Sequence, residues 1–156
     1  MIRRDYILRM IEECIRALTR ISSLKQGQRW NEASAELDVE FRKLVGDGAQ
    51  AVAQLSETEL LARLMQDGPT HALREKTLIL TTLLKESGDV AAAAERMEES
   101  RDCYLKALDL LLDVLARGEA FEFPEFVPKV ELLREVLAAA PLPVRTHALM
   151  QHYERT

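Results

Sequence analysis

The sequence predicts an all-α protein, and three observations carry that prediction. Apolar residues recur at three- and four-residue steps along most of the chain, the spacing that gathers side chains on one face of a helix. No segment alternates apolar and polar residues with the two-residue period of a half-buried strand. Ala, Leu, Glu and Arg, all strong helix formers, dominate, and Gly and Pro are too few to interrupt them often. At 156 residues, 47% apolar and 30% charged, the chain suits one folded domain with a real core rather than a disordered polymer. Residues 1–156 are therefore read as a single domain.

Asp5 is the expected cap of the first helix, and Ile7, Ile11, Ile15, Leu18 and Ile21, with Cys14 beside them, form its apolar stripe. Gly27 is its expected stop. A second helix spans Trp30 to Val45, with Trp30, Ala33, Leu37, Phe41 and Leu44 on one face. The short turn folds the two back as an antiparallel hairpin. Gly46-Asp47-Gly48 breaks the pattern, and Gln50 to Leu55 reads as either a short helix or a packed loop. Ser56-Glu57-Thr58-Glu59 is a capping-box signature: Ser56 can accept from the Glu59 backbone while Glu59 reaches back to Ser56. The short helix it opens runs through Met65 and stops at Gly68-Pro69.

The next helix is expected from Thr70 to Ser87, a turn at Glu86-Ser87-Gly88-Asp89, and then a long helix from Val90 to Arg117 that closes at Gly118. Leu80 and Leu84 mark the inner face of the first, and Tyr104, Ala107, Leu108 and Leu111 that of the second. A final pair runs from Pro124 to Ala140 and from Pro143 to the end, split by Pro141-Leu142-Pro143. The reading gives six substantial helices and one short one, arranged as antiparallel hairpins.

Several of these segments resemble the tetratricopeptide unit, a 34-residue helical hairpin with a small residue where the helices cross and an aromatic filling the seam. Leu80-Thr81-xx-Leu84 followed by Gly88 is similar to a first helix and its turn, and Tyr104-xx-Ala107 to the matching second helix. Between Gly88 and Tyr104 the chain holds about two more helical turns than the unit has. Gly27-xx-Trp30-xx-Ala33 is similar to the turn and second-helix opening, displaced by one residue. Leu149-xxx-Tyr153 resembles a first helix without its partner. The whole sequence, opening Asp-Tyr-Ile-Leu-Arg-Met-Ile, also resembles a bacterial family of such helical proteins to which no activity is assigned. The resemblance implies an irregular tetratricopeptide-like array, bacterial origin, and a protein-interaction role as scaffold or adaptor.

Charge narrows the partners. The net charge of -5 argues against a nucleic-acid partner, which calls for clustered Lys and Arg. Residues 1–30 are the exception: Arg3, Arg4, Arg9, Arg16, Arg20, Lys25 and Arg29 face only Asp5, Glu12 and Glu13. That excess should draw the first helix to an acidic surface, its own or a second copy's, although a solvated polar face is the plainer reading. Its Arg-and-Ile pattern could suit a membrane surface, but Glu12 and Glu13 on the polar face argue against it. No apolar run is long enough to span a bilayer and the first residues lack a leader's apolar core, so the cytoplasm is the expected location.

Candidate chemistry is sparse. Cys14 and Cys103 fall on apolar faces and read as buried thiols rather than a disulfide or metal pair. His147 and His152 are five apart, not at the three- or four-residue step of helical metal ligands, and His71 stands alone. Gly46-x-Gly48 lacks the Lys and preceding strand of a phosphate loop. Glu95, Glu98, Glu99 and Asp102 share one face of the expected long helix, where they could hold a cation or simply meet water. Neither catalysis nor a cofactor or metal is expected. The candidate partner-binding residues are Phe121, Phe123 and Phe126, an aromatic cluster at a helix entry, and Leu149 and Tyr153 on the last helix. Leu142, Val144, Leu149 and Tyr153 would be exposed if that helix stood free, and docking on its own bundle is favoured over packing on another copy. A homodimer joined through the terminal helices is the competing class, followed by an all-α ligand binder or enzyme.

Overall fold

The computed structural model describes residues 2–66, 73–117 and 125–155, which form eight helices and no strand. They are α1 (Ile2–Gln26), α2 (Trp30–Val45), α3 (Ala49–Gln54), α4 (Glu57–Met65), α5 (Leu73–Ala93), α6 (Met97–Ala116), α7 (Val130–Val136) and α8 (Val144–Arg155). The all-α expectation holds, with one helix more than the sequence reading gave because Ala49–Gln54 is helical. The α5–α6 hairpin lies in the middle. α1 and α2 pack on α5, α7 and α8 pack on α6, and α3 and α4 bridge α2 to the central pair.

Burial follows from that order. Leu78, Ile79, Leu80, Leu83 and Leu84 of α5 are enclosed on all sides, as are Leu108, Leu110, Leu111 and Leu112 of α6. The middle turns of both central helices are buried on every face, and the polar residues among them are chiefly Thr77, Thr81, Thr82 and Asp109. The outer helices bury one stripe each: Cys14, Ala17, Leu18 and Ile21 on α1, and Ala33, Leu37, Phe41 and Val45 on α2.

The central turn is not where the sequence placed it. Glu86-Ser87-Gly88-Asp89 has turn composition, yet α5 runs through it to Ala93 and the chain reverses at Ala94-Glu95-Arg96. Gly88 marks the helix crossing instead. A Cβ there would lie 2.6 Å from Tyr104 Cε1, so only glycine lets the Tyr104 ring rest against the α5 backbone. Ser100 Oγ donates to the Gly88 carbonyl at 2.7 Å and tightens the same contact. The two extra turns counted between Gly88 and Tyr104 are the end of α5, the reversal and the start of α6. Glu95 therefore sits in the turn and not on the α6 face with Glu98, Glu99 and Asp102.

Both hairpins reverse in the same way. Arg96 N–H donates to Ala91 O at 2.9 Å and Glu95 N–H to Ala92 O at 3.0 Å; in the first hairpin Arg29 N–H donates to Leu24 O and Gln28 N–H to Lys25 O. This is the closure usually made with glycine in the left-handed position. Here that position is taken by Gln28, at φ 60°, and Glu95, at φ 61°. Gly27, the expected stop, sits one residue before it. Each turn is followed by an arginine paired with a glutamate three residues on, Arg29 with Glu32 and Arg96 with Glu99.

Other boundaries moved less. α1 begins at Ile2, so Asp5 lies in its first turn rather than capping it. The Ser56–Glu59 capping box is present in both directions. The penultimate helix is shorter than the expected 124–140 span, since residues 125–129 are turn and coil before Val130. The expected helix ends at Gly68-Pro69, Thr70 and Gly118 lie outside the described residues.

Three substitutions test this packing. Gly88→Ala should lower the thermal midpoint: overpacking against a rigid ring costs about 1–3 kcal/mol, more than the roughly 1 kcal/mol that alanine ordinarily gains over glycine inside a helix. Gln28→Gly and Glu95→Gly should each raise stability by about 0.5–1 kcal/mol by relieving a left-handed side chain, read from denaturant midpoints at unchanged slope. The two gains should add, since the turns share no partners.

Candidate functional site

A groove with a volume of about 1320 Å³ runs between the α2–α3 corner and the α5–α6 reversal. α2 contributes Asn31, Ser34, Ala35 and Asp38, a stripe at helical spacing that carries short side chains where a solvent face usually has long ones. That stripe is the one signal in the sequence that could have announced the groove. The floor is the core itself: Leu37, Val90 and Ala91 are buried there and Leu105 is half-buried.

Four polar contacts hold the walls. Asp38 accepts from Arg42 Nε and from the Ala49 backbone N–H, each at 2.9 Å, and so fixes the start of α3. Those donors hold the Asp38 carboxyl below its usual range. Gly48 passes so close that a Cβ would run into the Asp38 carboxylate. At the other end Lys106 donates to Ala53 O at 2.8 Å and pairs with Asp102 at 3.1 Å, tying α3 to α6.

The rim is acidic. Asp38, Glu95, Glu98, Glu99 and Asp102 face Arg96 and Arg101. Arg96 is paired with Glu99 at 3.0 Å, and Arg101 Nη2 donates to the Pro141 carbonyl at 2.9 Å. Glu95 and Glu98 are exposed and make no ion pair among the described residues. Between them Met97 is 63% exposed.

The residues nominated from sequence lie elsewhere. Phe126 is half-buried and borders two smaller grooves beside Glu86 and α1. Leu149 and Tyr153 are half-buried against the core on α8, as is Leu142, whereas Val144 is 89% exposed. α8 is thus docked on its own bundle. Phe121 and Phe123 lie outside the described residues, as does His71. The basic first helix finds acids within the chain: Lys25 pairs with Glu86 and with Asp89, the latter at 2.6 Å, and Arg20 with Glu36 at 3.4 Å.

A cluster of carboxyls around the perturbed Glu57 lies away from the groove, beneath α8. Glu57 opens α4 beneath α8; burial, together with a hydrogen bond to Asp109 and that carboxylate's charge, pushes its carboxyl up to about 8. Arg145 Nη2, 3.2 Å from Glu57 Oε2, pulls the other way without prevailing. Asp109 is buried and also accepts from Thr146 Oγ1 at 2.7 Å, so α8 is anchored through this cluster. Both thiols are free and buried, and burial pushes Cys14 up to about 12 and Cys103 upward, which holds them as thiols. Among the described residues no group of three or more His, Cys, Asp or Glu is placed to hold a metal ion, and no helix is long and apolar enough to cross a membrane.

Compared with family models, curated proteins and solved structures, the chain finds no match.

The Glu57 cluster sets a pH dependence. Its carboxyl holds its proton up to about 8 in the folded chain but only to 4.5 when exposed, so the contribution is complete below 4.5 and lost as pH rises through 8. Glu57→Gln keeps a neutral donor for Asp109 and removes that loss. Melting midpoints taken from pH 5 to pH 9 should show parent and variant nearly equal at the acid end. At the alkaline end the variant should be higher by a few degrees, the effect of about 1–2 kcal/mol in a domain of this size.

Proposed function

We propose that this chain is a non-catalytic, tetratricopeptide-like interaction module, a scaffold or adaptor of the bacterial cytoplasm that holds a segment of a partner protein in the groove between α2–α3 and the α5–α6 reversal. The observation that carries the reading is the groove itself: an open trough whose rim presents the exposed side chains of Glu95, Met97 and Glu98. Open troughs of this kind suit polypeptide segments, whereas small substrates are usually taken into enclosed pockets with a few convergent polar groups.

Two features support the repeat-like part. The α1–α2 and α5–α6 hairpins close with the same hydrogen bonds, and Gln28 and Glu95 stand about two 34-residue units apart. Gly88 against Tyr104 supplies the small residue and seam aromatic of such hairpins. The absence of catalysis is inferred from buried, neutral thiols and from a carboxyl pair that anchors α8 rather than facing the groove.

A second reading, self-association, draws on one observation: α1 exposes Tyr6, Leu8 and Ile15, more apolar surface than a solvated helix needs. Photo-reactive side chains placed separately at Ala35 and Leu8 tell the two apart in living bacteria. The interaction-module reading expects adducts to a different protein from Ala35 and none from Leu8. Adducts of twice the chain's own mass from Leu8, with none from Ala35, favour the homodimer.

A further inference from the structure

The groove's shape and charge together specify what kind of segment fits it. We infer that its occupant is a basic amphipathic helix of a partner protein, seated with its apolar face on Ala35, Met97 and Leu105 and its cations against Glu95 and Glu98. The inference rests on the groove being the partner site.

Size comes first. A helix is about 10–12 Å across, so a trough of 1320 Å³ takes roughly three turns of one. The groove's helical walls offer no sheet edge on which an extended peptide could add a strand. Small side chains at Ala35 and Ala53 let a helix backbone approach closely.

Charge comes next. Arg96 is offset by Glu99, and Asp38 and Asp102 already have cations beside them. Arg101 donates to the neutral Pro141 carbonyl and keeps its charge, but Glu95 and Glu98, which have no ion pair among the described residues, outweigh it and leave the rim net negative. These carboxylates flank Met97, whose long, unbranched thioether can adapt to many apolar surfaces. A half-buried leucine, an exposed methionine and carboxylates at the mouth are complementary to one helix face of leucine-like residues bordered by Lys or Arg. The same carboxylates repel acidic helices, nucleic acid and anionic lipid.

The test uses the full chain and three labelled synthetic peptides, each about five helical turns long. One carries Leu at helical spacing among Lys, the second is its scrambled isomer, and the third has Glu for every Lys. Fluorescence anisotropy should show the patterned Lys peptide binding about tenfold or more tighter than its isomer, with little binding of the Glu peptide. Glu95→Lys with Glu98→Lys should weaken the patterned peptide about tenfold and flatten its salt dependence. Ala35→Trp, at an exposed position that tolerates bulk, should block it while melting like the parent. Binding of the Glu peptide that Ala35→Trp abolishes would keep the groove as partner site and overturn the basic class. Peptide binding indifferent to Ala35→Trp would overturn both. Displacement of the probe by unlabelled chain would overturn a foreign partner in favour of a second copy.

Discussion

Everything else in this fold is arranged around the close approach of α5 and α6 at Gly88. With no side chain there, the Tyr104 ring lies against the α5 backbone and its hydroxyl reaches Asp89 at 2.5 Å. Asp89 in turn holds Lys25 at 2.6 Å and Lys85 at 2.8 Å, so one contact links the end of α1 to both central helices. The charges respond consistently. Burial alone would raise Asp89, but hydrogen bonds from Lys25, Lys85 and Tyr104 outweigh it and hold the carboxyl below its usual range. Burial works to lower Lys25, and its bonds to Asp89 and Glu86 outweigh that and hold it up. Tyr104 is pushed upward by burial and by the adjacent carboxylate, so it stays a neutral donor.

The same residues explain how far the sequence could be read. Helical periodicity and the Ser56 capping box depend on neighbours a few positions apart, and both appeared where expected. α2 was legible to the residue because Gly46, left-handed at φ 85°, ends it with the amino acid that suits that geometry. The central reversal was not legible, for two complementary reasons. Ser-Gly-Asp has the composition of a turn, but Gly88 is required by a ring that arrives sixteen residues later in sequence. The true turn is built from Ala, Glu and Arg, which favour helices, with tertiary packing imposing a left-handed conformation on Glu95.

The candidate site was illegible for a different reason. Its walls come from residues 31–54 and 87–105, whose proximity arises only when α2 and α3 land on the central hairpin. Aromatic residues drew attention because they dominate many interfaces, yet Phe126, Leu149 and Tyr153 pack against the chain's own core. The groove is instead marked by what is small or exposed: Ser34, Ala35 and Met97. The acids that looked like one helix face turn out to be a rim, because Glu95 belongs to the turn that brings them to the groove mouth.

The central position of α5–α6 also bears on the order in which the molecule assembles. The two helices are joined by a three-residue turn and share the most extensive seam, so their pairing meets a loop-closure cost no greater than that of α1 with α2 and gains more contact in return. The outer layers then condense on a preformed template. The groove exists only after α2 and α3 have docked, and Lys106 and Asp38 are what keep them there. An occupant would therefore stabilise the last step of folding rather than the first, and its affinity would include the free energy of holding the α2–α3 corner closed.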